Sequence, residues 1–177
     1  NAQVACTHYA SPAGGGNGLS QSSPFQIGNF WGLAQPGKTL CLLDGTYTAA
    51  SSMITPPPSV TGAAGKPITV QALNEGRVVI KGNKDLRPVD LQGSYIAVRG
   101  INAENGNGGA IVMRGSHGTV QRSVAWCNND CGVVIDIGGS DNLLEDCAAF
   151  GGPARKIIAA GARGGNGPNT VRRCWAR

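Results

Sequence analysis

Six basic side chains crowd the C-terminal stretch, Arg155, Lys156, Arg163, Arg172, Arg173 and Arg177, and Trp175 stands among them. A guanidinium meets a carboxylate or sulfate through two parallel hydrogen bonds, and an indole stacks on the apolar face of a sugar, so this set could bind an acidic glycan. The same arginines would equally decorate the solvated outer faces of strands. A second group is acidic. Asp130 and Asp136 flank one apolar strand, and Asn128, Asn129 and Asp130 share a turn, which makes Asn129, Asp130 and Asp136 the candidates for a calcium ion. Calcium takes about six to eight oxygens, however, and Asn and Asp are also ordinary turn formers. Glu145 and Asp146 lie opposite Arg172 and Arg173 one repeat on, a placement that suits cross-strand ion pairs better than an acid/base pair. His117 follows Ser116 in a turn with no nucleophile–base–acid arrangement around it, and His8 belongs to an N-terminal strand. Neither is expected to be catalytic.

A repeat must position these residues. Segments 95–103, 117–125, 141–149 and 168–176 superpose so that Val98, Val120, Leu144 and Val171 share a column. Ile101, Ser123, Cys147 and Cys174 form the next, and Ala103, Ala125, Ala149 and Ala176 a third. Steps of 22, 24 and 27 residues that keep apolar columns but not polar identities mark a solenoid. Ala110-Ile111-Val112, Val133-Val134-Ile135 and Lys156-Ile157-Ile158 recur between them at steps of 23 and 23. The apolar runs are too short for helices and are separated by Gly, Asn, Asp and Ser, so the predicted fold is all-β, a right-handed parallel β-helix or single-stranded solenoid. A leucine-rich repeat would need Leu and Asn at fixed offsets, which are missing. Stacked coils lie about 4.8 Å apart, so each column becomes an internal ladder. Gly100, Arg122, Asp146 and Arg173 fall where the chain must turn between columns; Gly and Asp suit a left-handed turn, Arg less so.

A chain of 177 residues reads as one domain with a real core, and 28 glycines with only 14% charged residues fit many turns around apolar ladders. Residues 1–37 are Gly-, Ser- and Pro-rich, with a strand candidate at 4–9 and a short helical or capping segment at 25–34. They are expected to cap the open edge of coils that run from 38 to 177. Pro56-Pro57-Pro58 marks an excursion that cannot join a ladder. No apolar run approaches a membrane span, and the chain begins without a basic-then-apolar leader, as a processed protein would. The net charge of +5 asks for an anionic partner or none. Nucleic acid fits poorly, because the charge is not condensed into a run, no recognition motif is present and aromatics are 5%. Of six cysteines, Cys6 and Cys41 are the first choice for a disulfide that fastens the N-terminus; Cys127 and Cys131 could close a small loop. Cys147 and Cys174 read as buried thiols stacked in one inward column. Disulfides point to export.

The motifs His8-Tyr9-Ala10-Ser11-Pro12-Ala13-Gly14, Pro36-Gly37-Lys38-Thr39-Leu40, Leu43-Asp44-Gly45-Thr46-Tyr47 and Gly65-Lys66-Pro67-Ile68-Thr69-Val70-Gln71-Ala72 resemble the start of secreted bacterial right-handed β-helix proteins, and among them the family-nine pectate lyases. The likeness spans most of the chain. It implies an extracellular protein of polysaccharide-lyase type, acting by calcium-assisted β-elimination on an acidic polysaccharide such as pectate or alginate. That chemistry needs the uronate carboxylate neutralised and a base at the neighbouring C–H. Gly151-Gly152-Pro153-Ala154-Arg155-Lys156 and Asn169-Thr170-Val171-Arg172-Arg173-Cys174-Trp175-Ala176 resemble the segment leading into the family's calcium site. Where the family has Asp five residues before the Lys, this chain has Gly151. The family's acidic cluster and its base would come after Arg177, so the expectation is a set of N-terminal coils short of full catalytic residues.

Lys156 and Arg155 are then the catalytic candidates inside the chain, and Arg155, Lys156, Arg163, Arg172 and Trp175 those for substrate. The competing reading is a non-catalytic structural or adhesive β-helix. Ice binding would need flat Thr columns, whereas the outward column Arg99, Gln121, Glu145, Arg172 is charged and polar. Open edges in 168–177 predict end-to-end pairing of two copies or a covering loop.

Overall fold

A computed structural model describes residues 3–128, 131–151, 154–161 and 167–177. The chain enters through β1 (His8–Ala10) and the short helix α1 (Ile27–Phe30), then winds. Each winding adds its strands in order: β2 (Thr39–Leu42) and β3 (Gly45–Tyr47); β4 (Ile68–Ala72), β5 (Val78–Lys81) and β6 (Val89–Leu91); β7 (Ile96–Arg99), β8 (Asn102–Glu104) and β9 (Ile111–Met113). There follow β10 (Thr119–Gln121), β11 (Val124–Trp126) and β12 (Val133–Ile137), then β13 (Leu143–Glu145), β14 (Ala148–Phe150) and β15 (Lys156–Ala160), then β16 (Thr170–Arg172) and β17 (Trp175–Ala176). All pairings between these strands are parallel. Sheet A runs β1-β2-β4-β7-β10-β13-β16, sheet B β3-β5-β8-β11-β14-β17, and sheet C β6-β9-β12-β15. The protein is a parallel β-solenoid.

The register follows the apolar columns. Val70, Val98, Val120, Leu144 and Val171 pair in succession on sheet A, and Ile80, Ala103, Ala125, Ala149 and Ala176 on sheet B. Inner members of these ladders are fully buried, whereas Val171 in the last winding is 40% exposed. Sheet C corrects one expectation. Ile135 pairs with Ile111 and Asp136 with Val112, a step of 24 where the sequence suggested 23; the next step, Val133 to Lys156, is 23. Slipping a strand by one residue would exchange its inner and outer faces, and the ladder pairs Ile135–Ile111 and Ile137–Met113 settle the register.

At the corner between sheets A and B one residue per winding takes the left-handed conformation: Gly100 (φ 70°), Arg122 (48°), Asp146 (53°) and Arg173 (50°). Two arginines therefore hold a turn suited to Gly or Asp, and both are anchored by acids, Arg122 by Glu75 at 2.7 Å and Arg173 by Asp146 at 2.6 Å. The opposite corner, between sheets C and A, repeats Gly-Ser followed by a left-handed residue: Tyr95 (φ 56°), His117 (56°) and Asp141 (57°). The Tyr95 and His117 rings stack at 4.5 Å.

The N-terminal segment lies against the outer face of sheet A. Gln3 Nε2 donates to the carbonyl of Ala72, Val4 N donates to Gln71 Oε1, and Cys6 is bonded to Cys41. His8 sits under it, buried and stacked on Phe25; burial and Lys38 hold its pKa below the usual histidine value. The Cys6–Cys41 bridge spans a sequence separation of 35, a loop whose closure entropy is worth about 3–4 kcal/mol. Cys6→Ser with Cys41→Ser is expected to lower the urea midpoint by that stability, and an unchanged midpoint would show that the hydrogen bonds of 3–7 suffice alone. A second disulfide joins Cys127 and Cys131. Cys147 is a free buried thiol whose pKa burial pushes up to about 12; Cys174 beside it is free but only half-buried, because it sits in the last winding. Among the described residues no helix is long and apolar enough to cross a membrane.

Candidate functional site

In a strand every second side chain points outward, so sheet C presents Asp90, Val112, Asp136 and Ala159 as one outward column in register. Outward residues of a solenoid are normally wet, yet these four are 8%, 3%, 3% and 8% exposed. Loop 105–109 packs closely where it enters the sheet: a Cβ on Gly109 would stand 3.0 Å from Val112 Cγ2 and 2.9 Å from the Val133 carbonyl oxygen. On the far side the chain leaves the sheet at Arg114. The outer face of sheet C is therefore the floor of a groove, with a cavity of about 100 Å³ lined by Val112, Met113, Arg114, Asp136 and Gly138.

Charge in the groove is organised around Asp90. Its Oδ2 accepts from Arg87 Nη1, and its Oδ1 accepts from Arg114 Nε at 2.9 Å. Arg87 also donates from Nε and Nη2 to the carbonyl of Asn107, at 2.9 and 2.6 Å, which ties loop 105–109 to the sheet. Arg114 reaches the surface, its side chain 40% exposed. Arg87 and Arg114 are matched in formal charge by Asp90 and Asp136, and of the four it is Arg114 that reaches furthest into solvent.

The residues singled out by sequence are spread over three faces. Arg172 lies on sheet A, where its Nη2 donates to Glu145 Oε2 at 2.9 Å. Arg173 contacts both Glu145 and Asp146. Glu145 is nearly buried, and hydrogen bonds from Arg172 and then Gln121 hold its pKa below the usual carboxylate value; Arg173 does the same for Asp146. These are ion pairs that lock neighbouring windings, one of them with a buried acid. Trp175 lies on sheet B, 51% exposed and edge-on to Phe150 at 5.3 Å. Arg155 and Lys156 are exposed where the chain enters β15, the outermost strand of sheet C, and both backbone N–H groups donate to the Gly132 carbonyl. Of the basic and aromatic candidates among the described residues, these two lie beside the sheet that carries the groove.

Arg163, Asn129 and Asp130 lie outside the described residues. Asp136 sits in the middle of β12 and does not flank it. Among the described residues no group of three or more His, Cys, Asp or Glu could hold a metal ion. Asp136 and Asp90 are two windings apart, about 10 Å, too far to share a calcium ion that needs about six to eight oxygens. The described residues do not fit calcium, and no step is assigned to it. Sequence reasoning missed Arg87, Asp90 and Arg114. The signal was there in the outward parity of the third strand of each winding, which a step of 24 would have exposed.

The family model described as chondroitinase B matches residues 29–136. The chain is 29% identical over 157 residues to pectate lyase L of Dickeya chrysanthemi and 30% identical over 158 residues to pectate lyase L of Dickeya dadantii (strain 3937). Each match covers 81% of this chain and 36% of the relative, so the chain spans little more than a third of those proteins. Among solved structures, pectate lyase Pel9A superposes with a TM-score of 0.73 at 23% identity, over 94% of this chain and 46% of that one. The family 6 polysaccharide lyase Pedsa3628 from Pseudopedobacter saltans gives 0.66 at 17% identity, over 85% and 35%. At these identities the two structures show the fold alone.

Proposed function

We propose, for a chain that belongs to the chondroitinase B family and folds as a pectate-lyase-like parallel β-helix, that it binds an acidic polysaccharide along the outer face of sheet C. The observation that carries this reading is the outward column Asp90, Val112, Asp136, Ala159 with a cavity beside it whose wall includes the partly exposed Arg114 guanidinium. A polymer of uronate units is a regular line of negative charges, and a solenoid face is a regular line of side chains about 4.8 Å apart per winding. The curated relatives are named as pectate lyases, which supports a lyase over a purely structural or adhesive role.

For the protein as a whole the proposed reaction is β-elimination. A positive group neutralises the uronate carboxylate, which acidifies the adjacent C–H, and a base removes that proton as the bond to the leaving oxygen breaks. Arg155 and Lys156, exposed beside sheet C, are the proposed neutralising or proton-handling groups, and Arg163 is proposed as a further sugar contact; Arg172 on sheet A and Trp175 on sheet B lie off this face and are not part of it. Two disulfides suit an extracellular setting, which is the proposed location.

Affinity electrophoresis tests the reading. Polygalacturonate or alginate cast in the gel should retard the protein, less so as salt rises, while fully methyl-esterified pectin should not. Normal migration in every acidic polymer at low salt would sink it.

A further inference from the structure

We propose that Cys147 and Cys174 form a redox couple: the dithiol of this structure closes, in an oxidising setting, to a third disulfide that staples the winding of β16 and β17 to that of β13 and β14 at the corner between sheets A and B.

The ladder sets the two thiols level. Glu145 pairs with Arg172 on sheet A and Ala148 with Trp175 on sheet B, so Cys147 and Cys174 between them are in register, and Trp175 N donates to the Cys147 carbonyl at 2.9 Å. Both side chains take the same pose. Cys147 Sγ donates to the Glu145 carbonyl at 3.2 Å and reaches Val120 O at 3.6 Å; Cys174 Sγ donates to the Arg172 carbonyl at 3.2 Å and reaches Leu144 O at 3.6 Å. One winding step of about 4.8 Å therefore separates their Cα atoms, inside the roughly 4.4–6.8 Å that a disulfide spans. The Cys6–Cys41 and Cys127–Cys131 bridges cross 5.7 and 6.2 Å. Closing the bond gives up only weak thiol hydrogen bonds. The adjustment falls on the last winding, whose Val171 and Trp175 are 40% and 51% exposed.

The column does not need sulfur to hold its shape. One winding earlier Ser123 occupies the same inward position, and its Oγ donates to the Gln121 carbonyl at 2.9 Å, the same bond to the residue two before it. A hydroxyl is the stronger donor, so capping that carbonyl accounts for a serine. Two cysteines on consecutive windings add a bond that only sulfur makes. The other four cysteines are already paired, and these two are the free thiols.

Access sets the order of events. Cys147 is 3% exposed and burial pushes its pKa up to about 12, whereas Cys174 is half-buried and open to a reagent. The oxidant is a small-molecule disulfide, RSSR, of the glutathione class. The Cys174 thiolate attacks one of its sulfurs, the S–S bond breaks and RS⁻ leaves. The Cys147 sulfur, its proton passing to solvent, then attacks the Cys174 sulfur of the mixed disulfide, and a second RS⁻ leaves. Two protein thiols and one RSSR become one protein disulfide and two RSH. The new bond joins the windings already joined by the ion pairs of Arg172 and Arg173 with Glu145 and Asp146. Salt screens those pairs and leaves a covalent bond untouched.

Peptide mapping by mass spectrometry tests this on the whole chain. The protein is held in a glutathione redox buffer, quenched with acid, unfolded and alkylated without reduction. The peptides that carry Cys147 and Cys174 should be recovered crosslinked to each other and unalkylated. Cys174→Ser, which supplies the donor that Ser123 supplies one column earlier, should leave Cys147 alkylated. The oxidised parent should melt about 5–10 °C above Cys174→Ser in the same buffer. Amides of Thr170–Arg172 and Trp175–Ala176 should exchange more slowly in the oxidised parent than in the variant, and the gap should widen as salt rises. Recovery of both cysteines alkylated after prolonged oxidation, or of Cys174 arrested as its glutathione adduct, would overturn the couple. A crosslink that forms while melting and exchange match Cys174→Ser would overturn the staple.

Discussion

Gly115→Ala is expected to cost more than about 4 kcal/mol and to lower the thermal midpoint by roughly 10 °C. Gly115 opens the corner between sheets C and A, and an ideal Cβ there would stand 2.0 Å from the Gly93 carbonyl oxygen and 2.5 Å from its carbon. Both are backbone atoms of the winding beneath, so no rotamer change relieves the contact. The windings would have to part. The crowding runs through the stack: a Cβ on Gly93 would meet Val60 O at 1.9 Å, and one on Gly139 would meet Gly115 O at 2.1 Å. Because Arg114 precedes Gly115, opening this corner should also weaken the groove. Thermal unfolding followed by circular dichroism gives the answer, and a midpoint within about 2 °C of the parent would mean that the windings are not packed this closely.

Asn142→Ala comes next in size. Asn142 is 1% exposed and spends its side chain on this same corner. Its Oδ1 accepts from Gly118 N at 2.7 Å, and its Nδ2 donates to the carbonyls of Gly115 at 2.9 Å and Gly138 at 2.7 Å. One winding on, Asn169 accepts from Asn142 N at 3.0 Å and donates to Gly139 O at 3.2 Å. Alanine would strand one backbone N–H and two carbonyls away from water, at about 1 kcal/mol or more each, so a loss near 3 kcal/mol is expected. Asn142→Asp distinguishes this from simple loss of volume. An aspartate keeps the acceptor for Gly118 but turns an oxygen toward two carbonyls, so it should be no better than alanine in a urea titration. An aspartate as stable as the parent would mean that the donor half of the ladder contributes nothing.

The winding itself was legible because apolar columns must repeat when coils stack. Val98, Val120, Leu144 and Val171 pair as their spacing indicates. The asparagine ladder was not legible, since its column reads Ile96, Gly118, Asn142, Asn169 and only two members carry the amide. Sheet C was read one residue out of step at β12, where Val133 and Val134 are both apolar and two registers look alike. The pairing of Ile135 with Ile111 and of Ile137 with Met113 decides between them. That slip hid the groove, because it placed Asp136 out of line with Val112. The arginines at left-handed positions were discounted on intrinsic preference, whereas Glu75 and Asp146 supply the anchoring that preference ignores. The C-terminal basic set looked like one site because its members are close in sequence. In a solenoid, residues close in sequence face different directions, and those one winding apart face the same way.

The central claim is that sheet C carries the polysaccharide. Hydrogen exchange read by mass spectrometry, with and without saturating polygalacturonate, tests it directly. Slower exchange should appear in peptides that contain Val89–Leu91, Ile111–Met113 with Arg114, and Val133–Ile137, while the sheet A strands Ile96–Arg99 and Leu143–Glu145 stay unchanged. Protection on sheet A alone, or none anywhere, would contradict the account.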